Sequence, residues 1–360
     1  MGVPCTLLGI ETSCDETAAA IVRCDAHGKG EILAQKVLSQ IGDHEPFGGV
    51  VPEIAARQHV VHLDRLIKEA ILEAKINFEE LSGIAATAGP GLLGGVLVGL
   101  NTAKAIALAF NKPFFAINHL EAHALTPGLT EGLRPPYLLL LVSGGHTQLL
   151  AIEDIGAYRR YGTTIDDALG EAFDKVAKLL GLPYPGGPQI EKIALEGDGA
   201  AFDFPKPMIG KPNFHFSFSG LKTAVRMTVN KIGDLSAKQK ADIAASFQLA
   251  VVGSIKDRLW RAFNQFKAEH EDLKRPTLVI AGGVAANRFI RSQVEDLCNS
   301  CGFNISTPPL NMCTDNAAMV AWVGIEKLLH ENEDDLGFVA RARWPLDPLA
   351  EAVQGAGVKA

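Results

Sequence analysis

The chain has 360 residues and a mass of 38.4 kDa, which suggests two domains at roughly 150 residues each. With 47% hydrophobic and 21% charged residues it is neither a disordered chain nor one that needs disulfide staples. Lys+Arg 34 against Asp+Glu 41 leaves a formal charge of −7. The protein as a whole is therefore no polyanion-binding surface, and a nucleic-acid partner would need a local basic patch or a helper subunit.

The first residues, MGVPCTLLGIETSCDET, lack a basic n-region and meet Glu11 after a short apolar run, so they are not a signal peptide. Cysteines at 5, 14, 24, 298, 301 and 313 are too scattered for a disulfide framework. Both features predict a cytoplasmic protein. Residues 7–10 and 18–22 read as strands flanking a small polar turn from Glu11 to Thr17. Residues 53–75 place Ile54, Val61, Leu66, Ile67 and Ile71 at helical spacing, for a core stripe or a partner-binding helix. Residues 83–87 form a strand that runs into Ala88-Gly89-Pro90-Gly91 and a helix. The run 89–110 has a membrane-like hydropathy, but Asn101, Lys104 and its early glycines predict a buried, closely packed helix instead.

Farther along, both units recur. Strands 137–142 and 148–152 flank Ser143-Gly144-Gly145-His146-Thr147, and strand 277–281 leads through Gly282-Gly283 into a helix over 287–297. Backbone N–H groups in such turns and at helix starts are natural anion sites. The repetition predicts an α/β protein of two related lobes with a nucleotide in the cleft between them. The lobes are expected at 1–136 and 137–345, the second carrying an insertion within 153–275, followed by a tail over 346–360.

Chemistry-bearing residues are few. His119 and His123 stand at i and i+4, so on a helix their rings lie about 40° apart and can share a metal. Glu121 points about 200° away from His119 and cannot act as the base of a zinc protease, which follows its first histidine directly. Asp315 offers a third ligand, or else simply caps the helix that starts at Asn316. Asp166, Asp167, Glu171 and Asp174 read either as a solvated first helical turn or as acceptors for ribose hydroxyls. Cys298-Asn299-Ser300-Cys301 is a lone CxxC without a second pair.

The motifs 9–17 (GIETSCDET), 48–53 (GGVVPE), 87–92 (TAGPGL), 119–123 (HLEAH), 141–148 (LVSGGHTQ), 170–175 (GEAFDK), 185–188 (PGGP), 216–223 (FSFSGLKT), 281–287 (AGGVAAN) and 313–316 (CTDN) occur in one order over nearly the whole chain. Together they resemble the TsaD family, also called Gcp or YgjD. The resemblance implies the actin/Hsp70/sugar-kinase (ASKHA) fold, an α/β fold of two related lobes. It implies transfer of a threonylcarbamoyl group from threonylcarbamoyl-AMP to N6 of adenosine 37 in tRNAs reading ANN codons. It implies as partners tRNA, a degenerate paralogue (TsaB) and a small ATPase (TsaE), with a separate synthase supplying the adenylate, and no membrane.

Carried over by position, His119, His123 and Asp315 match the metal ligands, with Fe2+ the usual assignment and Zn2+ the alternative. Leu141, Val142, Ser143, Gly144 and Gly145 match the loop at the adenylate and its acyl group. Asp174, Gly187, Glu191 and Asn287 match positions at the nucleoside. Archaeal and eukaryotic relatives carry a tyrosine where Leu141 stands, an extra metal contact that leucine cannot make. Asp15 or Glu16 is the expected proton acceptor, and the amides of Gly144 and Gly145 the expected stabilisers of developing charge. The rival readings are an HxxxH metalloprotease, an ATPase or kinase of the same fold, and a non-catalytic nucleotide-dependent scaffold.

Overall fold

A computed structural model describes residues 3–353. Contacts divide the described residues into two compact units: 3–134 together with Pro308–Pro348, and Pro135–Thr307 together with 349–353. Of the expected tail, residues 354–360 lie outside the described residues.

The first unit is built on a five-stranded sheet of β1 (Cys5–Glu11), β2 (Glu16–Cys24), β3 (Gly30–Ser39), β4 (Gly83–Gly89) and β5 (Phe114–Asn118), in the order β3-β2-β1-β4-β5. β1 pairs antiparallel with β2 and parallel with β4, so a hairpin and a strand–helix–strand crossover share the central strand. β1, β4 and β5 are buried along their whole length, which explains why they read as continuous apolar runs. The helices that follow are α1 (Ile41–His44), α2 (Pro52–Ala74), α3 (Leu93–Ala109) and α4 (His119–Glu131).

α2 buries Ala55, His59, Leu63, Leu66, Ile67, Ala70 and Ile71. The expected stripe is thus corrected at Val61, which lies on the opposite side and is 64% exposed. The apolar run 89–110 supplies α3, which packs closely as expected but is buried on one face only, Leu93, Leu97 and Leu108 being exposed. Glycines at and just before its start let the β1–β2 turn rest on the helix. A Cβ on Gly91 would stand 2.6 Å from the Ser13 carbonyl oxygen, and one on Gly95 2.4 Å from that of Thr12. No helix among the described residues is long and apolar enough to cross a membrane.

The second unit repeats the plan. β6 (Tyr137–Val142), β7 (Thr147–Asp154), β8 (Ala157–Thr163), β9 (Thr277–Ala281) and β10 (Asn304–Ser306) form a sheet of order β10-β9-β6-β7-β8. β6 pairs antiparallel with β7 and parallel with β9, as β1 does with β2 and β4. The expected insertion consists of α5 (Leu169–Leu179), α6 (Gly186–Ala194), α7 (Ser219–Ile232) and the long α8 (Ala237–Glu269); α9 (Arg288–Cys301) then joins β9 to β10.

The last helices, α10 (Leu310–Cys313) and α11 (Ala317–Leu329), belong to the first unit, which corrects the expected boundary at 345. The reason is packing. α11 is apolar all round and buried from Ala317 to Glu326. Gly9 on β1 lies against the backbone at Ala317 and Ala321, and Gly324 against Ala85 and Leu7. Small residues on both surfaces let α11 sit close to the sheet, and this delivers Asp315 to the first unit.

Candidate metal centre and substrate loops

Three elements of the first unit converge on one point. α4 begins directly after β5, with the Asn118 side chain capping it by accepting from the Leu120 N–H at 2.9 Å. Its first turn projects His119 and His123 to the same side, with ring centroids 4.8 Å apart and nearly perpendicular. Asp315 Oδ1 lies 3.0 Å from His123 Nε2 and 3.4 Å from His119 Nε2. Asn316, not Asp315, caps α11, accepting from the Met319 N–H at 3.0 Å. The cap reading of Asp315 is thereby corrected, and its carboxylate is left to face the histidines.

The set can hold a metal. Nitrogen, nitrogen and carboxylate donors of His119, His123 and Asp315 all lie within 4.8 Å of one another, the only such grouping of His, Cys, Asp or Glu among the described residues. His123 Nδ1 is buried and has no hydrogen-bond partner among them. Two imidazoles and one carboxylate suit a divalent transition metal with open positions. Behind His119, Glu11 Oε2 lies 3.0 Å from Nδ1 and accepts from the Thr87 hydroxyl at 2.6 Å, while Oε1 accepts from the Ser13 N–H at 2.6 Å. A carboxylate behind a ligand imidazole fixes its tautomer and raises its basicity. Without a cation, burial works against a charged His119, but Asp315 and Glu11 outweigh it and hold its pKa well above the ordinary value. Burial works against the Asp315 carboxylate as well, yet His119 and His123 keep it well below the usual range.

Glu11, Ser13 and Thr87 were not singled out from the sequence as parts of the centre. The available signal was an acid at the end of an otherwise apolar strand, since a fully buried carboxylate needs partners.

The β1–β2 turn borders the same centre. Burial, then the charges of Asp315 and Asp15, push Glu16 well above the usual carboxylate range. Asp15 is 8% exposed. The Thr12 hydroxyl donates to the Gly95 carbonyl at 2.9 Å and accepts from the Gly99 N–H at 3.2 Å. It is thus inserted into the hydrogen-bond ladder of α3, pinning the turn to the helix.

The expected substrate residues of the second unit are held by contacts within that unit. In the β6–β7 turn the Ser143 N–H donates to the His146 carbonyl at 2.8 Å, and a Cβ added at Gly144 or Gly145 would meet open space. Gly170 at the start of α5 and Gly282 after β9 pack on this turn, so closely that a Cβ on Gly170 would lie 2.7 Å from the Ser143 carbonyl oxygen. Gly187 and Gly283 also face open space. Asp174 accepts from the Gly186 N–H at 2.7 Å, and Glu191 accepts from the Arg288 N–H at 2.6 Å, fixing the start of α9. Asn287 caps α9 and donates to Gln248 Oε1 at 2.8 Å.

Two expectations change here. Leu141 and Val142 are fully buried ladder residues, so their side chains reach no ligand. Nor is the acidic stretch a solvated helical turn. Asp166 accepts from the hydroxyls of Ser217 and Ser219, and Asp167 pairs with Lys175 and Lys222 at 2.8 and 2.7 Å.

Comparison with known proteins agrees with this architecture. T. kodakarensis HypF has the same fold over 91% of this chain and 48% of its own, with a TM-score of 0.59 at 15% identity. A full-length HypF structure in a phosphate- and nucleotide-bound form matches 90% of this chain and 56% of its own, with a TM-score of 0.57 at 13% identity. These likenesses place the chain in the actin/Hsp70/sugar-kinase class of α/β folds. Proteins of Brucella suis, Brucella canis and Brucella abortus named tRNA N6-adenosine threonylcarbamoyltransferase are each 58% identical over 351 residues, covering 98% of both chains. The family model for TsaD, tRNA N6-adenosine threonylcarbamoyltransferase, matches residues 31–322, and the chain belongs to that family of acyltransferases.

Proposed function

We propose that this enzyme transfers the threonylcarbamoyl group of threonylcarbamoyl-AMP to N6 of adenosine 37 in tRNAs reading ANN codons, releasing AMP. The observation that carries the reading is the convergence of His119, His123 and Asp315 beside a carboxylate-bearing turn. Phosphoryl transfer from Mg-ATP would call for oxygen ligands rather than two imidazoles. A zinc protease would need a glutamate at the metal, and Glu121 is not in the group.

The exocyclic amine of adenine is a weak nucleophile, so the acyl group must arrive activated as a mixed anhydride. As the N6–carbonyl carbon bond forms, the bond from that carbon to the phosphate oxygen breaks and AMP leaves. The protein's contribution is positioning and charge stabilisation. The open turn of Ser143, Gly144 and Gly145 binds the adenylate, the backbone N–H groups of Gly144 and Gly145 stabilising developing negative charge, and Asp174, Gly187, Glu191 and Asn287 shape the nucleoside side. Asp15 or Glu16 accepts the N6 proton. His119, His123 and Asp315 hold one divalent cation, Fe2+ or alternatively Zn2+, which when bound supplies Lewis-acid help to an oxygen of the activated substrate.

The charge of −7 implies that tRNA is bound together with partner proteins. Those partners are a paralogue of the same fold (TsaB) and a small ATPase (TsaE), and a separate synthase supplies the adenylate. The paralogue's contact is assigned to the outer face of α2, where Val60 and Val61 are 66% and 64% exposed, Val60 sharing a shallow pocket with Leu97 of α3. A tRNA substrate places the reaction in the cytoplasm.

The test is nucleoside mass spectrometry of total tRNA from cells depleted of this protein. Threonylcarbamoyladenosine should disappear, return with the wild type, and stay absent with the His119→Ala/His123→Ala variant. Unchanged modification under verified depletion would remove the assignment.

A further inference from the structure

A second buried histidine pair lies under the β1–β2 turn and has no place in the mechanism above. His59 on α2 and His44 in α1 are both fully buried. His59 Nδ1 lies 2.8 Å from the Thr17 hydroxyl and 3.2 Å from Gln40 Nε2, while its Nε2 lies 3.1 Å from the Cys14 carbonyl oxygen. His44 Nδ1 accepts from the Val51 N–H at 3.3 Å, and its Nε2 lies 3.3 Å from Gln40 Oε1.

These contacts admit one arrangement of protons. Val51 donates to His44 Nδ1, so His44 carries its proton on Nε2 and gives it to Gln40 Oε1. That orients the Gln40 amide with its NH2 group toward His59 Nδ1, which therefore accepts. His59 then holds its proton on Nε2 and donates it to the Cys14 carbonyl. Burial pushes the His59 pKa down, in keeping with a neutral ring. One more bond completes the set: the Gln40 backbone N–H donates to the Asp15 carbonyl at 3.0 Å. The main chain is thus held at Cys14 and Asp15, and the side chain at Thr17. Between and beside these anchors stand the carboxylates of Asp15 and Glu16.

We propose that His59 is a positioning residue for transfer, holding the Cys14 carbonyl so that Asp15 and Glu16 stand at a fixed place beside Asp315. This rests on the reading of Asp15 or Glu16 as proton acceptor. A buried histidine that only completes the core would satisfy the same neighbours without affecting turnover, and two conservative variants separate the roles. In His59→Gln the amide nitrogen reaches the position of Nε2 and can still donate to Cys14. In His59→Asn the shorter side chain reaches only the Nδ1 position, keeping Thr17 and Gln40 within reach but leaving the Cys14 carbonyl without its donor.

The experiment uses the full chain with its partner proteins, threonylcarbamoyl-AMP and tRNA, and measures kcat and KM for both substrates, melting temperature, and binding of Zn2+ alone by calorimetry. The expected result is a kcat lowered on the order of 10- to 100-fold in His59→Asn, the scale of a small misplacement of reacting groups. Both KM values and the Zn2+ stoichiometry should stay unchanged, and His59→Gln should recover most of the kcat at a melting temperature similar to that of His59→Asn. A wild-type kcat in His59→Asn would overturn the proposal, as would equal impairment of both variants or loss of Zn2+ binding in either. If the wild type itself gave no transfer, the assigned reaction would fail first.

Discussion

The two sheets share one plan, yet their hairpin turns are opposites. The turn Thr12-Ser13-Cys14-Asp15 in the first unit buries Thr12, Ser13 and Asp15, carries or borders carboxylates, and is tied down by Thr12 on α3 and His59 on α2. In the second unit Ser143-Gly144-Gly145-His146 has two glycines facing open space and rests on Gly170 and Gly282. The same backbone frame thus presents a cation-seeking corner in one copy and an open glycine turn in the other. Duplication supplies the geometry, and a handful of turn residues supplies the sign of the chemistry.

The largest effect that breaks this contrast is removal of the cation-seeking corner. His119→Ala/His123→Ala should abolish metal binding and transfer together, while Gly144→Ala should leave metal binding intact. Calorimetry with Zn2+ on both variants checks this. Metal lost from both would show that the second turn also contributes to the centre.

Next in size is a paired test of the glycine turn. In Gly144→Ala the added methyl enters open space, so stability should hardly change while KM for the adenylate rises, on the order of tenfold for one displaced hydrogen-bond contact. In Gly170→Ala the methyl would meet the Ser143 carbonyl from behind. The turn or α5 must shift, with a loss of about 1–3 kcal/mol in stability as well as weaker binding. Gly144→Ala with an unaltered KM would mean that this space takes no substrate. The corresponding change in the first unit, Gly95→Ala, should likewise destabilise by about 1–3 kcal/mol but lower kcat instead of raising KM, because it moves the turn that carries the acids.

Much of this was legible in the sequence because it depends on local pattern. The hairpins, the glycine turns and the His119/His123 spacing each show within sixteen residues. What was hidden depends on packing between distant segments. Nothing near Asp315 says that α11 returns to the first sheet; that follows from Gly9 meeting Ala317 and Ala321, and Gly324 meeting Ala85 and Leu7, across hundreds of positions. Val61 looked like core because helical spacing fixes which residues share a face, but not how wide the covered face is. His59 looked like one more residue on the helix, and its role depends on Gln40 and His44, which a single sequence does not join.

The smallest effects compare how each sheet's third strand is fastened to a helix. In the first unit Lys36 on β3 pairs with Glu73 on α2, an ion pair whose acid is 48% exposed. In the second, Arg159 on β8 holds Glu269 of α8 through both terminal nitrogens, at 3.0 and 2.7 Å, with Tyr161 and Gln265 also donating. Burial alone would raise the Glu269 pKa, but these donors bring it down to about 2. A carboxyl depressed in the folded state stabilises above its unfolded value near 4.3 and loses that contribution as pH falls through the folded one. Glu269→Gln should therefore lower the melting temperature at pH 7 and converge with the wild type toward pH 2. Glu73→Gln should change stability by less than about 1 kcal/mol at any pH. Thermal melts of the three proteins between pH 2 and 7 check both statements. A Glu269→Gln deficit that persisted undiminished at pH 2 would assign the role of Glu269 to packing rather than charge, and the two fastenings would then differ in shape alone.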